Sequence, residues 1–97
     1  MHYLKVAWEH GHADEPVTLY SECDDAGWEV RKVEIFRDGR YGYASSNEHS
    51  EGSMLGAEPI PPIDEIAKRL EFHPAPITRE EFEKIWAAAR TNPLRVI

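Results

Sequence analysis

The amino-acid sequence predicts an α+β fold, an antiparallel sheet of about four strands with two helices packed on one face. Three observations carry that expectation. Residues of the first half alternate apolar and polar with the two-residue period of strands. Asp38-Gly39 stands between two strand-like runs as a hairpin turn. The second half repeats apolar residues at helical spacing. The chain of 97 residues is expected to form one domain spanning 1–97, with a radius of gyration of about 12.5 Å.

Tyr3 to Trp8 reads as a first strand, with Leu4, Val6 and Trp8 on one face and Tyr3, Lys5 and Ala7 on the other. A polar stretch runs from Glu9 to Glu15, and Pro16 ends it. Val17 to Cys23 makes a second strand, closed by the turn residues Asp24-Asp25-Ala26-Gly27. Trp28 to Ala44 is the clearest hairpin. A two-residue type I′ turn at Asp38-Gly39 would set Phe36 opposite Tyr41, Ile35 opposite Gly42, Glu34 opposite Tyr43 and Val33 opposite Ala44. That register gathers Phe36, Tyr41 and Tyr43 on one face and leaves Val33, Ile35, Gly42 and Ala44 on the other, where small residues make room for a helix. Trp28 and Val30 have the wrong parity to join Val33 and Ile35, so a bulge is expected near Arg31-Lys32. A one-residue slip would exchange the two faces.

Ser45 to Pro59 has no periodicity and holds Met54-Leu55 as its only apolar pair; a connection of this length is either functional or a surface excursion. The first helix is expected after Pro61-Pro62, with Ile63, Ile66, Ala67 and Leu70 as its stripe and with pairs Asp64–Lys68 and Glu65–Arg69. Phe72 to Ile77 is extended, and its prolines confine it to an edge strand or a polyproline segment. The last helix starts at a capping box of Thr78 and Glu81, stapled by Ile77 and Phe82. It buries Phe82, Ile85, Trp86 and Ala89, and Asn92-Pro93 stops it.

Composition narrows the function classes. Lys+Arg number 11 against 18 Asp+Glu, a net charge of −7, which disfavours non-specific binding to nucleic acid or to an anionic membrane. No apolar run approaches the roughly 20 residues of a membrane span. Met1-His2-Tyr3-Leu4-Lys5 does not open a signal peptide, so a cytoplasmic protein is expected. The lone Cys23 excludes an internal disulfide, and Glu22, Asp24 and Asp25 beside it argue against a reactive thiolate. His10-Gly11-His12 with Glu9, Asp14 and Glu15 is a weak metal motif, against a solvated loop. Neither a nucleophile elbow nor a phosphate-cradling glycine loop is present. The expectation is therefore no catalytic residues, no metal and no cofactor, leaning away from an enzyme.

Two constellations carry function. Glu9, Asp14, Glu15, Glu22, Asp24 and Asp25, with Glu48, Glu51 and Glu58 of the long loop, are acidic enough to steer towards a basic protein if the fold gathers them. The bland alternative is solubility. The residues selected for partner binding are Asp14, Glu15, Glu22, Asp24, Asp25, Glu48 and Glu51. The second constellation puts Arg31, Lys32, Arg37 and Arg40 beside Phe36, Tyr41 and Tyr43, where Phe36, Arg37, Arg40, Tyr41 and Tyr43 would stack and hold a nucleotide-like ligand. Cross-strand stabilisation of a hairpin explains the same residues.

The pattern Tyr3-x-Lys5-Val6-x-Trp8, Asp14-Glu15-Pro16-Val17-x-Leu19-Tyr20-Ser21-Glu22, Val30-Arg31-Lys32-Val33-Glu34-Ile35-Phe36-x-Asp38-Gly39-x-x-Gly42-Tyr43-Ala44 and Ile77-Thr78-x-Glu80-Glu81-Phe82-Glu83-x-x-Trp86 resembles a family of small bacterial proteins known as a domain of unknown function. The resemblance spans most of the chain and implies the α+β arrangement and a bacterial or phage origin, with no catalytic residues to transfer. Small acidic proteins of this kind are often encoded beside toxins, which directs the expectation to an immunity-like or inhibitor-like protein that binds a basic toxin or effector. A small-ligand binder using the hairpin face is the alternative.

Overall fold

The computed structural model describes residues 1–50 and 52–91. They form β1 (His2–Trp8), β2 (Pro16–Cys23), β3 (Glu29–Phe36), β4 (Tyr41–Ser45), α1 (Ile63–Ile66), β5 (Phe72–Pro76) and α2 (Arg79–Thr91). One sheet of five antiparallel strands runs in the order β4-β3-β2-β1-β5. The fold is α+β, and the strand beyond the four expected is the proline-bearing segment, which takes the edge beside β1. The Cα radius of gyration is 12.6 Å.

Both sheet edges are closed to further strands. Ile77 N–H donates to Tyr3 O, and Lys5 and Ala75 are opposite each other. This phase turns the nitrogens of Pro74 and Pro76 away from β1, so the outer edge of β5 lacks two N–H donors where a new strand would need them. On the other side Ser50 N–H donates to Tyr43 O and Ser45 N–H to Glu48 O, so the chain folds back to cover β4.

The expected placement of both helices on one face is not what forms. One face carries Tyr3, Tyr20, Val33 and Tyr43, with Phe82, Trp86 and Ala89 of α2 packed over it. The opposite face carries Leu4, Val6 and Cys23 beneath Ile60, Ile63, Ile66 and Phe72. Apolar groups of both parities on the strands require cover on both sides, so no face of the sheet is left bare.

The hairpin register also slips by one residue. Ile35 lies opposite Tyr41, Glu34 opposite Gly42, Val33 opposite Tyr43 and Lys32 opposite Ala44. Phe36 N–H donates to Arg40 O and Gly39 N–H to Phe36 O, so the loop is Arg37-Asp38-Gly39. A type I′ turn needs two residues at positive φ; here Gly39 alone has it, at 90°, and Asp38 is spared the left-handed conformation. Tyr41 and Tyr43 therefore lie with Val33 and Ile35 on the α2 side. The small Gly42 makes room for the long loop instead of a helix: a Cβ there would stand 2.2 Å from Ser53 Oγ. The expected bulge lies one residue early, at Val30, where the pairing moves from Glu22↔Arg31 to Cys23↔Glu29.

α1 is a single turn. After Ile66 the bonds tighten to Lys68 N–H to Glu65 O and Arg69 N–H to Ile66 O, and the chain turns into β5. Leu70, placed on the buried stripe from spacing, is 91% exposed, and Phe72 packs in its stead against Trp8. Lys68 pairs with Glu65 and Arg69 with Glu71 instead of the expected partners. α2 follows expectation except at Ile85, which is half-buried: Thr78 Oγ1 accepts from Glu81 N–H, Glu81 Oε1 accepts from Thr78 N–H, and Phe82, Trp86 and Ala89 are buried. Its expected stop at Asn92-Pro93 lies outside the described residues.

Candidate functional site

The β2–β3 connection is a tightly bonded turn. Asp24 Oδ1 accepts from the N–H groups of Ala26 and Trp28 at 3.0 and 2.9 Å, and Asp24 N–H donates to Trp28 O at 2.9 Å. Side-chain bonding of this type is why Asp favours turns. Gly27 takes φ 89°, and a Cβ on it would stand 3.0 Å from Ile60 O. Its carbonyl accepts from Ile60 N–H at 2.8 Å, which staples the turn to the segment leading into α1. On this fixed frame Trp28 is 46% exposed and the Asp25 side chain 99% exposed, met among the described residues only by the Met1 ammonium at 3.3 Å.

Between the turn and the 60–63 segment lies a cleft of about 390 Å³, walled by Leu4, Gly27, Ile60, Pro61, Pro62 and Ile63, with Asp25 and His2 also lining it. Past Leu4, Ile60 and Pro61 it continues into a groove of about 330 Å³ over Val6, Leu19 and Phe72. Glu29 lines that groove, but its carboxylate is already taken by Ser21 Oγ, Gly56 N–H and Lys32 Nζ.

The acidic residues selected from sequence do not gather. Asp14 and Glu15 are exposed in the connection after β1, at the opposite end of the β1–β2 pair from Asp24 and Asp25. Glu48 binds Arg90, and Glu51 lies outside the described residues. Glu22 is 6% exposed under α2. Arg31 reaches Glu22 through Nε at 2.6 Å and Nη2 at 2.9 Å, and meets both carboxylate oxygens of Glu83 at 3.0 and 2.9 Å. Its guanidinium lies 4.9 Å from the Phe82 ring centre and 5.1 Å from that of Trp86. Hydrogen bonds from Arg31 hold both carboxyls below their ordinary range. Tyr3, whose hydroxyl donates to Glu22, is shifted up by burial and by that carboxylate. Sequence separation hid this group: alternation marks Glu22 and Arg31 as strand residues, but only the β2–β3 pairing and the crossing of α2 bring them together with Glu83.

The aromatic hairpin face expected for a nucleotide-like ligand is divided between the two sides of the sheet. Tyr41 and Tyr43 pack into the α2 core, with Tyr43 edge-on to Trp86 at 5.5 Å. Phe36 is on the reverse side with Arg40 over its ring at 5.2 Å, and Arg40 is bound to Asp38. Arg37 donates to His10 O. The one-residue change of register is the physical reason.

The remaining candidates are occupied by structure. Cys23 is fully buried, and burial followed by the nearby carboxylates of Glu29, Asp24 and Glu22 pushes its thiol up to about 11, the reverse of what a nucleophile needs. His12 N–H donates to His10 Nδ1 at 2.9 Å while His10 Nε2 stands 2.7 Å from Pro16 O, so both ring nitrogens are used. Among the described residues no group of three or more His, Cys, Asp or Glu is placed to hold a metal ion. Ser50 and Ser53, close to His49 in sequence, are buried and serve to fix the long loop to Tyr43 and Glu34. No helix of the described residues is long and apolar enough to cross a membrane.

The exposed Trp28 is a candidate binding residue that sequence reasoning passed over. Its parity mismatch with Val33 and Ile35 was the available signal.

A five-stranded antiparallel sheet covered on both faces, with a bonded acidic turn beside an apolar cleft, defines a small α+β scaffold. The chain belongs to the family described as Domain of unknown function (DUF6881), whose model matches residues 2–91. No curated protein and no solved structure matches it.

Proposed function

We propose that this protein is a non-enzymatic binding protein, immunity-like or inhibitor-like, that engages a basic protein partner through the Asp24–Trp28 end of the sheet. The observation that carries this reading is Trp28, 46% exposed on a turn whose backbone is already bonded at Asp24, Ala26 and Trp28. A large aromatic held out on a rigid frame suits a binding anchor, because little conformational freedom is lost when a partner covers it. Asp25 in the same turn and a net charge of −7 favour a partner of opposite sign and speed the encounter. The protected edges of β4 and β5 weigh against recognition by strand addition and in favour of a side-chain surface.

Capture from an extract of the source organism at low salt tests this reading. Wild-type protein is expected to retain a basic protein that elutes as salt is raised. Trp28→Ala, with its fold verified by circular dichroism, should weaken that retention by about 2 kcal/mol or more, roughly 30-fold. Equal retention by wild type and Trp28→Ala, or retention indifferent to salt, removes the proposal.

A further inference from the structure

We infer that a recess beside α2, between Lys5 of β1 and Lys84 of the helix, binds the carboxylate of a small apolar acid whose aryl or branched alkyl body lies against Tyr20, Ile77 and Ile85. The recess shares no residue with the Trp28 turn and is independent of the protein-binding reading above.

With 18 Asp+Glu against 11 Lys+Arg, this chain offers its cations an excess of carboxylates. Among the described residues every arginine and all but two lysines take such a partner or, for Arg37, the carbonyl of His10. Lys5 and Lys84 are the two lysines with neither a carboxylate nor another acceptor; the Lys5 ammonium rests over the Tyr20 ring, 5.7 Å from its centre. Both line one recess of about 290 Å³, together with Tyr20, Ile77, Glu81 and Ile85. Glu81 is the single carboxylate of that lining, and its Oε1 already accepts from Thr78 N–H and Thr78 Oγ1 in the helix cap.

Charge and lining together set the class of ligand. Two ammonium groups and one carboxylate leave the recess a single net positive charge. That suits a monoanion better than a phosphate monoester, which carries about −1.5 to −2 near neutral pH. Tyr20, Ile77 and Ile85 are half-buried and offer apolar surface that an inorganic anion would not use. An apolar acid matches both parts, because its body takes those side chains out of water while its carboxylate meets the lysines. The volume is close to the lower limit of about 300 Å³ for ligand sites, which fits one ring or a short branched chain. The fold holds this frame in place: Lys5 and Tyr20 are cross-strand partners, Ile77 N–H donates to Tyr3 O, and the Thr78–Glu81 cap fixes the first turn of α2.

Titration of 15N-labelled protein at neutral pH with 3-phenylpropionate, and separately with neutral 3-phenylpropionamide and with inorganic phosphate, tests the inference by NMR. Phenylpropionate is expected to shift the amides of Lys5, Tyr20, Lys84 and Ile85 to saturation. The amide and phosphate should leave them near their starting positions. Lys84→Met, at an exposed side chain that bonds to nothing among the described residues, should keep the dispersed spectrum and weaken phenylpropionate binding about three- to five-fold, the loss of one exposed ion pair. Lys5→Met should do the same from the sheet side. Equal shifts from the amide would reduce the recess to an apolar patch and overturn the inference. Phosphate shifting these amides as strongly as phenylpropionate, undiminished binding in both methionine variants, or phenylpropionate shifts confined to residues outside the recess would overturn it as well.

Discussion

The two faces of the sheet are covered by different means. On one side a 13-residue helix, capped by Thr78 and Glu81, lays Phe82, Trp86 and Ala89 onto Val33 and the tyrosines, with Arg31 held between two carboxylates and two aromatic rings. On the other, a one-turn helix and an irregular connection are tied down by separate polar contacts: Ser53 to Glu34, Gly56 to Glu29, Ile60 to Gly27. Close-packed aromatic cover excludes water at its centre and leaves a recess of about 290 Å³ at the edge of the helix, among Lys5, Tyr20, Ile77 and Lys84. Cover held by spaced hydrogen bonds leaves openings between its fixing points, and both the cleft and its adjoining groove lie there. The loosely covered side holds the cleft of about 390 Å³ and the groove of about 330 Å³.

Phe82→Ala should give the largest effect, since Phe82 is fully buried against Tyr3 and Trp86. A loss of about 3–5 kcal/mol in urea unfolding is expected, enough to threaten folding of a small domain. A loss under about 1 kcal/mol would mean that the helix-covered side is not the tighter one.

Arg31→Met probes the ionic part of the same side. It leaves Glu22 buried without its cation and should destabilise by about 3 kcal/mol or more at neutral pH, with Glu22→Gln added in the same chain recovering part of the loss. The pH dependence has a definite sign. Glu22 and Glu83 titrate below their ordinary value of 4.5 in the folded state. Their contribution is therefore complete above about pH 4.5 and is lost as pH falls through the lower folded values. Unfolding curves between pH 6 and 2 should fall steeply for wild type and more gently for Arg31→Met; parallel curves would contradict the pairing.

Gly42→Ala sharpens the comparison from the other side at smaller magnitude. The added methyl meets Ser53 Oγ, so a loss of about 1–3 kcal/mol is expected, with faster hydrogen exchange in residues 52–60. Ser53→Ala in the same chain removes the obstructing oxygen and should restore part of the stability. No recovery in the double variant would show that the loop does not rest on Gly42.

How far the sequence reached differs by element. The capping box and the Phe82–Trp86–Ala89 stripe of α2 were legible because helix signals lie within a few residues of one another. The edge position of Phe72–Pro76 was legible because proline cannot donate to a central ladder. Leu70 misled because spacing describes a helix that, in the fold, ends after one turn to deliver Phe72 to β5. Tyr41 and Tyr43 misled because a hairpin register turns on one loop residue, and Asp38-Gly39 is compatible with a loop of two or of three. Of the acidic site, Asp24 and Asp25 were recognised in sequence; their separation from Asp14 and Glu15, and the burial of Glu22, were not.

By itself, then, the sequence determined the α+β class, the antiparallel strands, the net charge and the local turn and cap chemistry, because each depends on neighbours along the chain. Tertiary structure alone decided that both sides of the sheet are covered, that Arg31 joins Glu22 to Glu83, and that Gly27 meets Ile60 beside an open Asp25. Those are contacts between residues far apart in sequence, set by strand register and by the path of the 46–62 connection, and no periodicity within a single segment encodes them.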